Sequence, residues 1–307
     1  MTGRADGAEH VPVLADAILA LMQPAAGQIF VDGTVGLGGH ALAILPRLLP
    51  GGRYIGLDVD PEMLAVARER LASMPEGSVI LRHANYADLP DVLDELEIDA
   101  ADHVLLDLGV NSAQLASGER GFSIDRDGPL DMRFDRNQKV RALDLVNSLT
   151  ENELSDLFYQ FGQEGLSRRI AKRICQIRHE TRITTTGALA RAVESVFAAD
   201  SSARPGKIHS ATRIFQALRV AVNRELDQLR TALPRITARL RPGGTLAVIA
   251  FHSLEDAIVK DFLRSQRAAG RMSEITKRPH IADEAERQAN PRSRSAKLRV
   301  ARRTTAA

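Results

Sequence analysis

A single cysteine stands in 307 residues. Cys175 on its own excludes an internal disulfide framework and a multi-cysteine zinc site. The eight histidines form no His-Glu-x-x-His or comparable ligand set, so no catalytic metal is expected. No Gly-Lys-Ser/Thr follows the glycine cluster that begins at Gly33, which removes a P-loop. Long apolar runs are missing as well. The longest one near the C-terminal end, TLAVIAF (245–251), has the length of a strand and falls far short of a membrane span. The opening MTGRADGAEH mixes charges and has no apolar signal segment. Together these absences lead to the expectation of a cytoplasmic protein without a membrane partner.

What is present is globular bulk with unevenly placed charge. The chain is 44% hydrophobic and 26% charged, with a formal net charge of +2, and its length allows one large domain or two smaller ones. From Arg264 onward twelve Lys/Arg face four Asp/Glu. Such a surplus is either an electrostatic footprint for a polyanion or a solvated tail.

The first third alternates strand and helix signals. QIFVDG reads as a strand, residues 40–49 as a short helix, and RYIGLDVD as a second strand. Asp60 and Pro61 then read as N-cap and first helical position, with Leu64, Ala67 and Leu71 on one face. SVILRHANY and ADHVLLDLGV are the third and fourth strands. This rhythm predicts an α/β fold with a parallel sheet. Residues 151–233 carry no convincing strand. Helical stripes run through Leu166, Ile170, Ile174 and Ile177, through Leu189, Val193 and Val196, and through Ile214, Leu218, Val222, Leu226, Leu229 and Leu233. Strand character returns at GGTLAVIAF. The simplest arrangement is an α/β domain, 1–115 with 211–307, interrupted by a helical insertion at 116–210. Loops are expected at 117–138 and 198–207.

The most informative stretch is FVDGTVGLGGHA (30–41). Gly36, Gly38 and Ala41 fit the dinucleotide pattern G-x-G-x-x-G/A. The same residues fit the looser D-x-G-x-G-x-G loop of S-adenosylmethionine-dependent methyltransferases, with Thr34 where the first glycine usually stands. Either loop lets bare backbone approach a nucleoside. Asp58, at the end of the second strand, is the candidate acceptor for ribose hydroxyls in both variants. Tyr86 is placed to cover an adenine ring. Asp107 ends the fourth strand, where open α/β sheets put their ligands. Asn111, Ser112 and Gln114 follow it with neutral hydrogen-bonding groups. Cys175 lies among helical signals with nothing to mark it as a nucleophile, and reads as a small apolar filler. LRPGGTLAVIAFHS weighs toward a methyltransferase, because a late helix, a Pro-Gly-Gly turn and a strand resemble the closing part of the class I (Rossmann-like) fold. A NAD-dependent dehydrogenase stays open as the rival enzyme. An RNA-binding ribosome-assembly protein without turnover stays open as the rival from another class.

Seven blocks in order, HVPVL (10–14), DGTVGLGGH (32–40), LDLGVNSAQL (106–115), RGFSIDRDGPLDMR (120–133), ATRIFQALRVAVN (211–223), FHSLEDAIVK (251–260) and NPRSRSAKLR (290–299), resemble the bacterial 16S ribosomal RNA cytosine-N4 methyltransferases, the RsmH or MraW family. The resemblance implies S-adenosylmethionine as methyl donor and a decoding-centre (P-site) cytidine of 16S rRNA, within the small ribosomal subunit, as acceptor. It implies cofactor contacts at Gly38, Gly39, His40, Asp58, Tyr86, Asp107 and Gln114. Asp107 and Asn111 become the catalytic candidates. The helical insertion and the basic C-terminal segment are expected to hold RNA, and a homodimer is compatible with this picture. Asn111 stands where relatives carry the first of two serines, so no serine hydroxyl is available at that position.

Overall fold

The computed structural model describes residues 12–199 and 209–305. Most of the loop expected at 198–207, and His10 and Val11 of the first block, lie outside them. The chain forms two compact units, one comprising the residues up to Gly109 and from Leu226 onward, the other Val110–Glu225.

The first unit opens with α1 (Ala15–Met22), β1 (Ile29–Asp32), α2 (Gly39–Leu48), β2 (Arg53–Asp58), α3 (Pro61–Arg70), β3 (Val79–His83), α4 (Leu89–Glu95) and β4 (Ala101–Asp107). The second unit supplies α5 (Ser112–Ala116), α6 (Ala142–Ser148), α7 (Glu151–Gly162), α8 (Ser167–Glu180), α9 (Thr186–Ala198) and α10 (Thr212–Asn223). The chain then returns with α11 (Glu225–Ala238), β5 (Leu240–Ala250), α12 (Ser253–Ala268), β6 (Met272–Glu274), α13 (Glu284–Ala289) and β7 (Lys297–Arg303). The α3 start is as expected: Asp60 accepts the Glu62 N–H at 3.1 Å and Pro61 takes the first turn.

The sheet of the first unit has the order β3-β2-β1-β4-β5-β7-β6. Its first five strands pair in parallel, while β7 runs antiparallel to both β5 and β6. An antiparallel strand slotted in beside β5 is the signature of class I methyltransferases, and the fold belongs to that Rossmann-like class. Alternate residues of β4 feed opposite layers. Val104 and Leu106 join Leu93 of α4, Leu233 of α11 and Val259 of α12. Leu105 joins Ile18 of α1, Leu45 of α2 and Leu64 of α3. Helices on both faces explain why these strands read as near-continuous apolar runs. Chain order reverses at β1, which pairs with β2 on one side and β4 on the other. Ligands of open sheets bind beyond the carboxyl ends of strands at such a point.

Three features depart from the sequence reading. The stripe from Ile214 to Leu233 is two helices, broken where Arg224 turns left-handed at φ 51°. Its first half, with Ile214 and Leu218, packs into the core of the helical unit beside Phe158, Ile170 and Val193. That unit therefore extends beyond the 116–210 expected. Second, the Pro-Gly-Gly turn lies within β5 as an irregularity, where pairing with β4 skips from Ala101–Leu240 to His103–Thr245. Third, the basic tail is a strand. Leu298, Val300 and Ala301 of β7 are fully buried, between two neighbouring strands. Among the described residues no helix is long and apolar enough to cross a membrane.

Candidate active site

The carboxyl ends of β1, β2 and β4 each carry an aspartate, and backbone geometry binds the three into one assembly. Asp32 ends β1 with no exposure. Its Oδ1 accepts the Thr34 N–H at 2.9 Å and the Thr34 hydroxyl at 3.3 Å, and its Oδ2 accepts the Tyr54 hydroxyl at 2.6 Å. Burial raises the Asp32 carboxyl above its ordinary range, against the pull of His40, Tyr54 and Thr34. The Tyr54 hydroxyl is pushed well above its ordinary value by the same burial and by the Asp32 charge. Thr34 Oγ1 also accepts the backbone N–H of Asp107 at 2.7 Å. The residue that departs from the usual glycine at this position thus ties β4 to β1, a task that needs a hydroxyl.

The glycines of the loop divide the labour. A Cβ on Gly33 would lie 2.6 Å from Leu106 Cδ2 and 2.8 Å from Tyr86 Cβ, so Gly33 serves close packing. Gly38 caps α2 at φ 78°, a conformation that disfavours any side chain. The Gly36 N–H donates to Asp58 Oδ2 at 2.8 Å, and the Asp60 N–H donates to Asp58 Oδ1 at 2.9 Å. Each Asp58 oxygen keeps a lone pair, since a carboxylate oxygen accepts two hydrogen bonds. Burial pushes the Asp58 carboxyl up to about 6, against the two backbone donors. This half-buried carboxylate is poised to accept two further donors, the pattern that vicinal ribose hydroxyls present.

Asp107 ends β4. His40 Nε2 stands 3.5 Å from Asp107 Oδ2. Asp107 Oδ1 and both ring nitrogens of His40 are buried without a hydrogen-bond partner. Asp58, with an open lone pair on each oxygen beside the bare backbone of Gly36 and Gly38, fits the ribose of S-adenosylmethionine, and the orphaned atoms of Asp107 and His40 mark a place for a further polar group. Arg292 joins them from the NPRS segment, a contribution the sequence reading did not single out. Its guanidinium lies 5.9 Å from the Phe251 ring centroid. Burial lowers its affinity for a proton and the Asp107 charge restores part of it. The arginine stood inside a noted basic block, but nothing local told it from its neighbours.

Asn111 and Gln114 fall in the second unit, where each has a local task. Asn111 Oδ1 accepts the Gln114 N–H at 2.9 Å, and Gln114 Oε1 accepts the Asn111 N–H at 3.1 Å. This reciprocal capping box starts α5. Cys175 is half-buried against the helical core, consistent with a filler. Arg168 and Lys172 of α8 are both exposed.

The profile of the MraW methylase family matches residues 7–304. The ribosomal RNA small subunit methyltransferase H of Coprothermobacter proteolyticus is 46% identical over 292 residues, covering 95% of each chain. Its namesake from Syntrophotalea carbinolica is 46% identical over 311 residues, covering 96% of this chain and 98% of that one. The Koribacter versatilis protein of the same name is 44% identical, covering 96% of this chain and 94% of that one.

Proposed function

This chain belongs to the MraW methylase family, and from that premise we propose that it methylates the exocyclic N4 of a decoding-centre cytidine in 16S rRNA. That it is an S-adenosylmethionine-dependent rRNA methyltransferase follows from the family and the class I sheet. The finer reading rests on one observation above all. A carboxylate whose side chain is 19% exposed, Asp107, closes the strand at the switch point of the sheet.

S-adenosylmethionine, when bound, supplies a methyl group on an electron-poor sulfonium. The protein's own task is to make cytosine N4 nucleophilic and to hold it in line. That nitrogen is a poor nucleophile because its lone pair is delocalised into the ring. An acceptor on one of its hydrogens lets the amine pyramidalise, and Asp107 is the acceptor the site offers. Its charge also opposes the positive charge that develops on nitrogen. No thiolate takes part, so Cys175 has no chemical role. Asn111 and Gln114 serve this reading by shaping the chain that follows Asp107, with Tyr86 alongside the nucleoside. The decisive experiment is nucleoside mass spectrometry of 16S rRNA after incubation of small subunits with enzyme and cofactor. N4-methylcytidine at one position is expected; methylation at ring C5 or on ribose would refute the assignment.

Asp58 gives a test of the cofactor pocket. Asp58→Ala should weaken S-adenosylmethionine binding about 10- to 100-fold, the loss of charge-assisted hydrogen bonds worth roughly 1.5–3 kcal/mol. Wild-type affinity should also depend on pH, with a definite sign. Ribose hydroxyls donate to the ionised carboxyl, whose protonation lies at about 6 without ligand. Binding should therefore tighten as pH rises to about 6 and level off above it, with proton release on binding near pH 6. Calorimetry in two buffers of different ionisation enthalpy measures both. A flat profile with unchanged alanine affinity would remove Asp58 from the pocket.

For RNA, the exposed Arg168 and Lys172 of α8 and the exposed Lys277, Arg278, Arg294 and Arg302 are the proposed phosphate contacts. Binding to small subunits should weaken steeply with salt, and each charge reversal should reduce the slope by about one. A slope that ignores these substitutions would place the RNA surface elsewhere. Action on a ribosomal subunit also accounts for a cytoplasmic location.

A further inference from the structure

We propose that His40 is the proton partner of Asp107: its side chain stands behind the carboxylate to receive the proton that N4 sheds, while the cofactor contacts of this segment come from the glycine backbone. This rests on the N4-methylation reading above. Three observations carry it. His40 Nε2 lies 3.5 Å from Asp107 Oδ2. Neither ring nitrogen has a hydrogen-bond partner although the side chain is only 7% exposed, an expensive arrangement for a purely structural residue. The charged groups facing the ring are Asp107 from β4 and Asp32 from β1, and Arg292 acts on the same Asp107.

The step balances as follows. The N4 lone pair forms the new nitrogen–carbon bond, and the electron pair of the broken carbon–sulfur bond stays on sulfur, leaving a neutral thioether. The now cationic nitrogen gives one proton to Asp107 Oδ2, because Oδ1 is sealed from solvent. That oxygen already lies 3.5 Å from Nε2 of neutral His40 and passes the proton to it. Asp107 is ionised again, and imidazolium holds the proton until product leaves. Return to solvent runs back through Asp107, whose side chain is 19% exposed, since Asp32 is sealed.

The test uses the full-length enzyme, small subunits as substrate and saturating S-adenosylmethionine in single turnover. His40→Gln keeps a polar side chain that cannot take the proton. Its rate should fall about 100-fold, the lower end of general acid–base contributions, with cofactor affinity changed less than about threefold. The wild-type rate should fall as acid protonates His40, and the glutamine variant should lose that limb. Free imidazole should restore part of the rate of His40→Ala. A readout independent of turnover is the imidazole NMR resonance of His40, whose titration should move in Asp107→Asn. An unchanged rate, or weakened cofactor binding with an intact rate, overturns the proposal. A wild-type enzyme that leaves no methyl group on N4 overturns the underlying reading instead, and mass spectrometry of the same reactions tells the two failures apart.

Discussion

Asp107→Asn is expected to lower the single-turnover rate about 100- to 1,000-fold at saturating cofactor, the range seen when one preorganised electrostatic contact to a developing charge is removed. Cofactor affinity should change by less than about fivefold. The substitution is nearly isosteric, and the tie between β4 and β1 uses the backbone N–H of residue 107 on Thr34 Oγ1, so the strand end stays in register. What changes is the chemistry. An amide directed by its NH2 group at N4 sets donor against donor, and its carbonyl carries no charge to oppose the cationic nitrogen. The ground state needs that charge less than the transition state does, so the rate falls further than the binding. Rapid-quench measurement at several cofactor concentrations separates the two. If more cofactor restores the full rate, Asp107 is a binding residue only.

How much of this site was legible beforehand depends on how local each signal was. The strand–loop–helix segment 30–41, Asp58 and Asp107 could be read because each marks a strand end within a few residues of a turn. His40 was visible as part of a Gly-Gly-His run, but its approach to Asp107 is a consequence of β1 and β4 pairing, which no linear pattern states. Thr34 looked like an imperfect glycine motif and turned out to hold Asp107 and Asp32 at once. The helix break at Arg224 was hidden because Val222, Leu226 and Leu229 keep helical spacing across it. The physical reason for the break lies far away in the chain. Asn223 Oδ1 accepts the Phe134 N–H at 2.9 Å and its Nδ2 donates to the Met132 carbonyl at 2.8 Å, and Met132 is held left-handed at φ 64°.

The tail misled more than any other segment, because Lys/Arg density outweighed its alternation. KLRVARR places Leu298 and Val300 two apart, a strand signal, yet the charges around them suggested solvent. Two of those charges are already occupied. Arg299 Nε donates to Asp256 Oδ1 at 2.7 Å, and Lys297 Nζ lies 3.3 Å from Asp256 Oδ2. Arg303 donates to the carbonyls of Ala238 and Leu240. The electrostatic surplus is real, but fewer tail charges remain for RNA than a count of residues suggests.

Asp256→Ala should therefore act on stability more than on RNA binding. Arg299 sits in an interior strand with its side chain 9% exposed. Burial pushes the Asp256 carboxyl up, but the Arg299 hydrogen bond and the charges of Arg299 and Lys297 prevail and hold it below the usual carboxylate range. Removing one partner of such a pair strands the other charge, at a cost of about 3–5 kcal/mol. Lys297, 40% exposed, can turn to water and adds little. A unit of this size loses roughly 2–4 °C in Tm per kcal/mol, so the melting temperature should drop by about 6–20 °C. The double variant Asp256→Leu with Arg299→Met should recover much of that loss, because it removes the stranded charge and keeps the volume. Thermal denaturation of both variants, followed by their salt slopes on small subunits, gives the answer. A drop under about 2 °C for Asp256→Ala would mean that Arg299 is solvated and belongs to the RNA-binding charge after all.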